Sequence, residues 1–228
     1  MARSRFIVIE GLIGVGKTSL CRLLKGRWGA RLVLEPWDDN PFLAAFYSDR
    51  DRYAFATQMF YLASRYNQQL RLARGELTDP WVVADYLFEK DRLFAEETLH
   101  GDEMALYDRF AGLLGGTIPD PELVLFLDAP TEVIMGRIAK RAIQAEQVIE
   151  GTYLDSLRRR YYALWDRYDG APVYVLDSTD LDYVNDPAAQ QRILDMITGW
   201  VEGEPVEGAP QPYRGTLGPR QMRLFSGD

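Results

Sequence analysis

Hydrophobic positions along the 228-residue chain alternate between two regimes. Short continuous apolar runs over 6–9, 31–34, 81–84, 123–127 and 173–176 predict five buried strands. Between them the apolar residues recur every three or four positions. Leu20, Leu23, Leu24 and Trp28 predict a helix directly after the first strand. A short helix is predicted over 41–47 and a longer one over 53–72, where Phe55, Met59, Leu62, Tyr66 and Leu70 form a stripe suited to core or dimer packing. Further helices are predicted over 87–99, over 103–114 after a break at His100-Gly101-Asp102, after Thr131, over 153–168, and from Asp186-Pro187 to near Trp200. Strand-helix alternation of this kind implies an α/β fold: a doubly wound, parallel, five-stranded sheet with helices on both faces. One domain is expected over 1–202. The Gly- and Pro-rich segment 203–228 lacks periodicity and reads as an extended tail.

Composition narrows the function. Hydrophobic residues make up 47% of the chain, enough for a packed core. The net charge of −8 argues against a nucleic-acid or anionic-membrane surface, so any phosphate must be held by a local cationic site. The single cysteine, Cys21, rules out an intramolecular disulfide and suits a reducing, cytoplasmic location. Its place in the first helix reads as a small core residue. The lone His100 has no ligand partners in the pattern, and no apolar run reaches the ~18 residues of a membrane span.

The chemistry starts where the first strand ends. Gly11-Leu12-Ile13-Gly14-Val15-Gly16-Lys17-Thr18, followed by Ser19, fits the phosphate-binding loop of Gly, four residues and Gly-Lys-Ser/Thr. The glycines let the backbone curl with its N–H groups inward, making a concave nest for phosphate oxygens. Lys17 would reach the β- and γ-phosphates of ATP, and the Thr18 hydroxyl would take one Mg²⁺ position. The helix that starts there directs its positive end at the anion.

In a doubly wound sheet, ligands bind beyond the carboxyl ends of the strands. The residues in those places are Glu10, Glu35, Asp85, Asp128 and Asp177, an acid each time. A lone strand-end acid is usually a turn former or a cap. Five in register with a phosphate loop point to some that hold metal or act as a base. Gln58 and Arg65, seven apart, share one face of the long helix. Arg137 and Arg141, four apart, share a face of the helix after strand four; solvated surface and a cationic lid over phosphate are both open readings.

With these motifs in order, the chain resembles the deoxynucleoside kinase family over about residues 5–199, most of all its bacterial deoxyadenosine/deoxyguanosine kinases. The resemblance rests on Ile9-Glu10-Gly11 through Lys17-Thr18; on Leu34-Glu35-Pro36-Trp37 with Asn40-Pro41-Phe42-Leu43; on Phe46-Tyr47 and Phe55-Ala56-Thr57-Gln58-Met59, continuing to Ser64-Arg65; on Arg137-Ile138-Ala139-Lys140-Arg141 with Glu146; and on Asp180-Leu181-Asp182-Tyr183-Val184. It implies Glu35 as general base for a sugar 5′-hydroxyl and Tyr47 and Glu146 as sugar-binding residues. Gln58 would read the base edge, with Arg65 deeper in the pocket beside Asp91. Asp85 and Thr18 would hold Mg²⁺, and 180–184 would lie near the donor base. It also implies a homodimer.

One departure stands out. The family reads Glu or Asp, then Arg, then Ser after strand three, whereas this chain reads Asp85-Tyr86-Leu87. The lost arginine contacts phosphate and the catalytic carboxylate in the family. Lys90, four residues beyond Tyr86 and on the same face if a helix starts near Asp85, is the candidate to replace it. The expected activity is transfer of the γ-phosphate of ATP to a deoxynucleoside, purine first and deoxycytidine next, for nucleotide salvage. A nucleoside-monophosphate kinase of the thymidylate type and a nucleotide-binding regulatory protein without turnover are the alternatives.

Overall fold

The computed structural model describes residues 4–74, 79–114, 119–204 and 206–215. Five strands, β1 (Arg5–Gly11), β2 (Arg31–Val33), β3 (Trp81–Ala84), β4 (Leu123–Asp128) and β5 (Val173–Asp177), form one sheet in the order β2-β3-β1-β4-β5. Every pairing is parallel; Phe6 lies opposite Val82, and Ile9 opposite Leu125. Covered on both faces, β1 and β4 need no polar side, and their continuous apolar runs are buried throughout.

Eight helices flank the sheet among the described residues: α1 (Lys17–Trp28), α2 (Leu43–Ser48), α3 (Arg50–Ala73), α4 (Lys90–Thr98), α5 (Gly101–Leu114), α6 (Thr131–Arg141), α7 (Gly151–Trp165) and α8 (Pro187–Glu202). The main core joins both sheet faces to α1, α6, α7 and α8. A satellite core of Phe46, Ala54, Leu62, Ala95, Leu99 and Tyr107 packs α2 to α5 into a helical layer that meets α7 through α4. The two cores leave a space between them, at the carboxyl end of the sheet.

The periodic elements fall where expected, with shifted ends. Helix α3 begins at Arg50 because the Asp49 side chain accepts from Arg52 N and caps it. Helix α4 begins three residues late, at Lys90, leaving 85–89 as a connection over the carboxyl edge. The apolar stripe on α3 is only partly in the core, with Phe55 and Met59 packed against the satellite cluster. Phe55, Met59, Tyr66 and Leu70 are only half-buried, and Leu62 alone of the stripe is in the core. The buried residues of α3 are Ala54, Thr57, Gln58, Tyr61, Leu62, Arg65 and Gln69, a partly polar set because Thr57, Gln58, Tyr61 and Arg65 line a polar cavity.

The start of the tail is not free either. Tyr213 N donates to Val173 O (2.7 Å), extending the edge of β5, and its hydroxyl donates to Asp166 (2.8 Å). Val206 packs so closely on Gly199 that a Cβ there would sit 2.2 Å from it. Residues 216–228 of the expected tail lie outside the described residues. Among the described residues, no helix is long and apolar enough to cross a membrane.

Candidate active site

The loop between β1 and α1 has the positive φ values its curl needs, at Gly14 (81°) and Gly16 (116°) among others. Neither could carry a side chain. A Cβ at Gly14 would stand 2.5 Å from Ile138 of α6, and one at Gly16 would stand 2.3 Å from the Tyr183 hydroxyl. The loop is thus clamped between α6 and the 179–185 segment. Lys17 folds back over it, donating to Gly11 O (2.8 Å) and Leu12 O (2.9 Å). Burial, with Lys90 nearby, lowers its pKa to about 8.

Two cavities meet at this loop. One, on the α6 side, is lined by residues 14–19, Arg137, Lys140, Arg141 and the 179–185 segment. The other, toward α2 and α3, is lined by Lys17, Thr18, Glu35, Trp37, Phe46, Tyr47, Gln58, Tyr61, Arg65, Asp85, Lys90, Phe94, Glu146 and Tyr153. The second gathers most of the expected acceptor-site residues into one wall.

Glu35 is its electrostatic centre. Arg65 donates through Nε (3.0 Å) and Nη2 to Oε1, while Lys90 Nζ donates to Oε2 (2.9 Å). Burial alone would raise the carboxyl pKa, but Lys90 and Arg65 overcome it and hold the group well below the usual range. The peptide that carries Glu35 is fixed at both ends. Glu35 N donates to Asp85 Oδ1 (2.8 Å), and Leu34 O accepts from Gln68 Nε2 (3.1 Å). Gln68 is itself held by Tyr86, whose hydroxyl donates to its Oε1 (2.6 Å). Tyr86, standing where the family has arginine, is fully buried and serves as part of this brace.

Asp91 does not line the cavity. Its Oδ1 accepts from Arg65 Nη1 and its Oδ2 from the Tyr107 hydroxyl (2.6 Å), so both oxygens are spent inside the protein. Burial raises its pKa despite the Arg65 charge. Arg65 in turn is pushed higher by Glu35 and Asp91, against the effect of burial, so it stays charged. The expected Arg65/Asp91 pair exists, but only Arg65 faces the cavity.

The lid residues divide. Arg137 turns inward and donates to Val15 O (3.1 Å), Ser178 Oγ (3.0 Å) and the carbonyls of Ser178 and Thr179, tying the phosphate loop to the segment after β5. Arg141 pairs with Glu146 and lies over the Trp37 ring (5.9 Å), two-fifths exposed at the mouth of the acceptor cavity. Of the five strand-end acids, Glu35 and Asp85 face the cavity. The others are structural. Glu10 accepts from Gly11 N, Leu87 N and the Tyr161 hydroxyl; Asp128 from Ala129 N, Arg158 and Tyr162; Asp177 from Thr179.

The donor set fits Mg²⁺. Thr18 Oγ1 and Asp85 Oδ2 are 2.7 Å apart beside the phosphate loop, two hard oxygens of the kind that hold this ion together with water and phosphate oxygens. Three contributors were missed by sequence reasoning: Gln68, Thr98 and Tyr107. Two have a spacing signal: Gln68 is three residues after Arg65, and Thr98 seven after Asp91, each on the helix face of an expected site residue. Tyr107 has none, because it sits on α5 and meets Asp91 of α4 only through tertiary packing.

Comparison with known proteins shows the family. The sequence profile described as Deoxynucleoside kinase matches residues 7–202. Deoxyguanosine kinase of Bacillus subtilis (strain 168) is 32% identical over 202 residues, covering 85% of this chain and 96% of the relative. Deoxyadenosine/deoxycytidine kinase of the same organism is 28% identical over 204 residues, covering 86% and 92%. In three dimensions the chain is similar to deoxyadenosine kinase from M. mycoides with bound dATP, with a TM-score of 0.71 at 22% identity, over 85% of this chain and 99% of that one.

Proposed function

The chain belongs to the deoxynucleoside kinase family, and from that premise we propose that it transfers the γ-phosphoryl group of ATP to the 5′-hydroxyl of a purine deoxynucleoside, with deoxycytidine second. The observation that carries this reading is Glu35. It is held ionised on the wall of a cavity that has Lys17 at one end and Gln58 within it. ATP would lie on the loop with its base toward the 179–185 segment, and the nucleoside would enter beneath Trp37 and Phe46.

Phosphoryl transfer through a loose transition state asks the protein for alignment and charge neutralisation more than for a strong base. Glu35 suits that demand. A carboxylate stabilised by two cations orients the 5′-hydroxyl as an acceptor and takes its proton late, as the new P–O bond forms. Lys17, Lys90 and Arg141 supply positive charge around the moving group. Tyr47 and Glu146 line the same cavity where a sugar would lie. Thr18 and Asp85 would hold Mg²⁺, which would supply neutralisation of phosphate charge when bound. Lys90, so close to Glu35, favours turnover over a regulatory protein that has lost it.

A homodimer and a place in cytoplasmic nucleotide salvage go with this reading. Leu106, Phe110 and Leu113 on the outer face of α5 are exposed large hydrophobics that a second subunit could cover. The test of the activity is ADP release with each of the four deoxynucleosides at saturating ATP. Turnover with at least one purine deoxynucleoside above thymidine is expected; no release with any of the four contradicts the proposal.

A further inference from the structure

Gln58 is the one amide in the acceptor cavity, as read from its described lining, and it is almost wholly buried. Its Nε2 donates to Thr98 Oγ1 (3.1 Å). Its Oε1 is buried with no hydrogen-bond partner among the described residues. A buried acceptor without a partner costs stability unless a ligand or water completes it, so an unpartnered acceptor on a side chain that lines the cavity points to a bound donor.

Which end of an amide faces a wall is settled by the hydrogens available. The Thr98 hydroxyl has one hydrogen, and it goes to Phe94 O, one turn back on α4 (2.8 Å). Its remaining lone pairs can only accept. They therefore require the nitrogen of Gln58, not the oxygen, on the Thr98 side. One amide hydrogen is spent there, which leaves one hydrogen and the unpartnered Oε1. Rotating the amide by half a turn would set oxygen against oxygen unless Thr98 gave up its bond to Phe94.

We infer that Thr98 is a specificity-determining residue that, by locking the Gln58 amide in one orientation, sets the order of acceptor and donor shown to a nucleobase. This rests on the reading of the cavity as a deoxynucleoside site. Adenine presents an amino donor beside the N1 acceptor. Guanine presents the O6 acceptor beside an N1–H donor. The two edges are reversed, so a free amide can serve either by turning over, whereas a locked one matches one edge and opposes like atoms on the other. Thr98 touches Gln58 rather than the base, so its effect is on discrimination and not on phosphoryl transfer.

The experiment compares kcat/KM for deoxyadenosine and deoxyguanosine in the parent, Thr98→Val and Thr98→Ser. Valine keeps the branched shape and removes the hydroxyl; serine keeps the hydroxyl. The expected result is a clear preference in the parent, moved toward equality by about five- to tenfold in Thr98→Val, the factor one neutral hydrogen bond carries. Thr98→Ser should retain the parent ratio. A Thr98→Val variant that lowers both substrates alike shows a purely structural residue and overturns the inference, as does a parent that uses the two purines equally. Dissociation constants of both nucleosides, measured by calorimetry on the same three proteins, keep the question separate from turnover. A protein that binds the two with the expected ratios but releases no ADP would refute the kinase reading alone, and one that binds neither overturns both.

Discussion

Lys90 Nζ lies 2.9 Å from Glu35 Oε2, and both side chains are largely withdrawn from water. The lysine comes from the first turn of α4 and the glutamate from the connection after β2, so the contact ties the helical layer to the sheet edge. It puts a cation beside the carboxylate in a chain that has tyrosine where the family carries arginine. Lys90→Ala is expected to lower kcat by about 10²–10³, the cost of removing one charge-stabilising donor. The Kd for ATP should change little. Lys90→Arg should retain more activity than the alanine variant. With one cation gone, the Glu35 carboxyl also rises toward its ordinary pKa, so the acid limb of the kcat profile should move to higher pH. A Lys90→Ala enzyme that turns over like the parent would show an inert lysine.

Tyr86 acts at one remove. Its hydroxyl holds Gln68, which holds the Leu34 carbonyl of the peptide carrying Glu35. Tyr86→Phe keeps the ring and removes that bond. A fall in kcat of about three- to tenfold is expected, in line with one neutral hydrogen bond, with KM for ATP unchanged. Gln68→Ala should add little to Tyr86→Phe, because both break the same brace. Fully additive losses would separate the two residues and contradict the relay.

Lys17 gives a pH signature. Its pKa in the free protein is lowered to about 8 by burial and by Lys90. Between pH 8 and its ordinary value of 10.5 the folded chain therefore binds fewer protons than the unfolded one. Its contribution to stability rises with pH across that window. ATP brings negative charge that restores the ammonium. At pH 9, nucleotide binding should be accompanied by uptake of roughly one proton, seen as a binding enthalpy that varies with the ionisation enthalpy of the buffer. At pH 7, where the ammonium is already mostly formed, the Lys17 uptake should fall to roughly a tenth of that. Equal enthalpies in all buffers at pH 9 would show a lysine that is already charged.

Much of this was legible in the sequence. The apolar runs locate all five strands because strands covered on both faces need no alternation, and the strand-end rule leads to Glu35 and Asp85. Helical spacing told only part of α3. Phe55, Met59, Tyr66 and Leu70 form a regular stripe, yet the deeply buried residues include Thr57, Gln58, Arg65 and Gln69. Periodicity of apolar residues finds the face against a hydrophobic core, and is blind to one lining a polar cavity. Nor does local spacing tell an acid that works from one that braces: Glu10 and Asp128 are silenced by Tyr161, Arg158 and Tyr162, all from α7, far along the chain. Asp91 is withdrawn from the cavity in the same way by Tyr107.

The account stands or falls on Glu35, and Glu35→Gln tests it with little change in shape. The measurement is kcat with a purine deoxynucleoside at saturating ATP, alongside the Kd for ATP and the thermal midpoint of both proteins. A neutral amide cannot take the hydroxyl proton, so kcat should drop by about 10²–10⁴. The Kd for ATP should stay within about twofold, because no part of the phosphate loop is altered. If Glu35→Gln releases ADP at the parent rate, or loses activity only as it loses stability, Glu35 is a structural strand-end acid and the central claim is wrong.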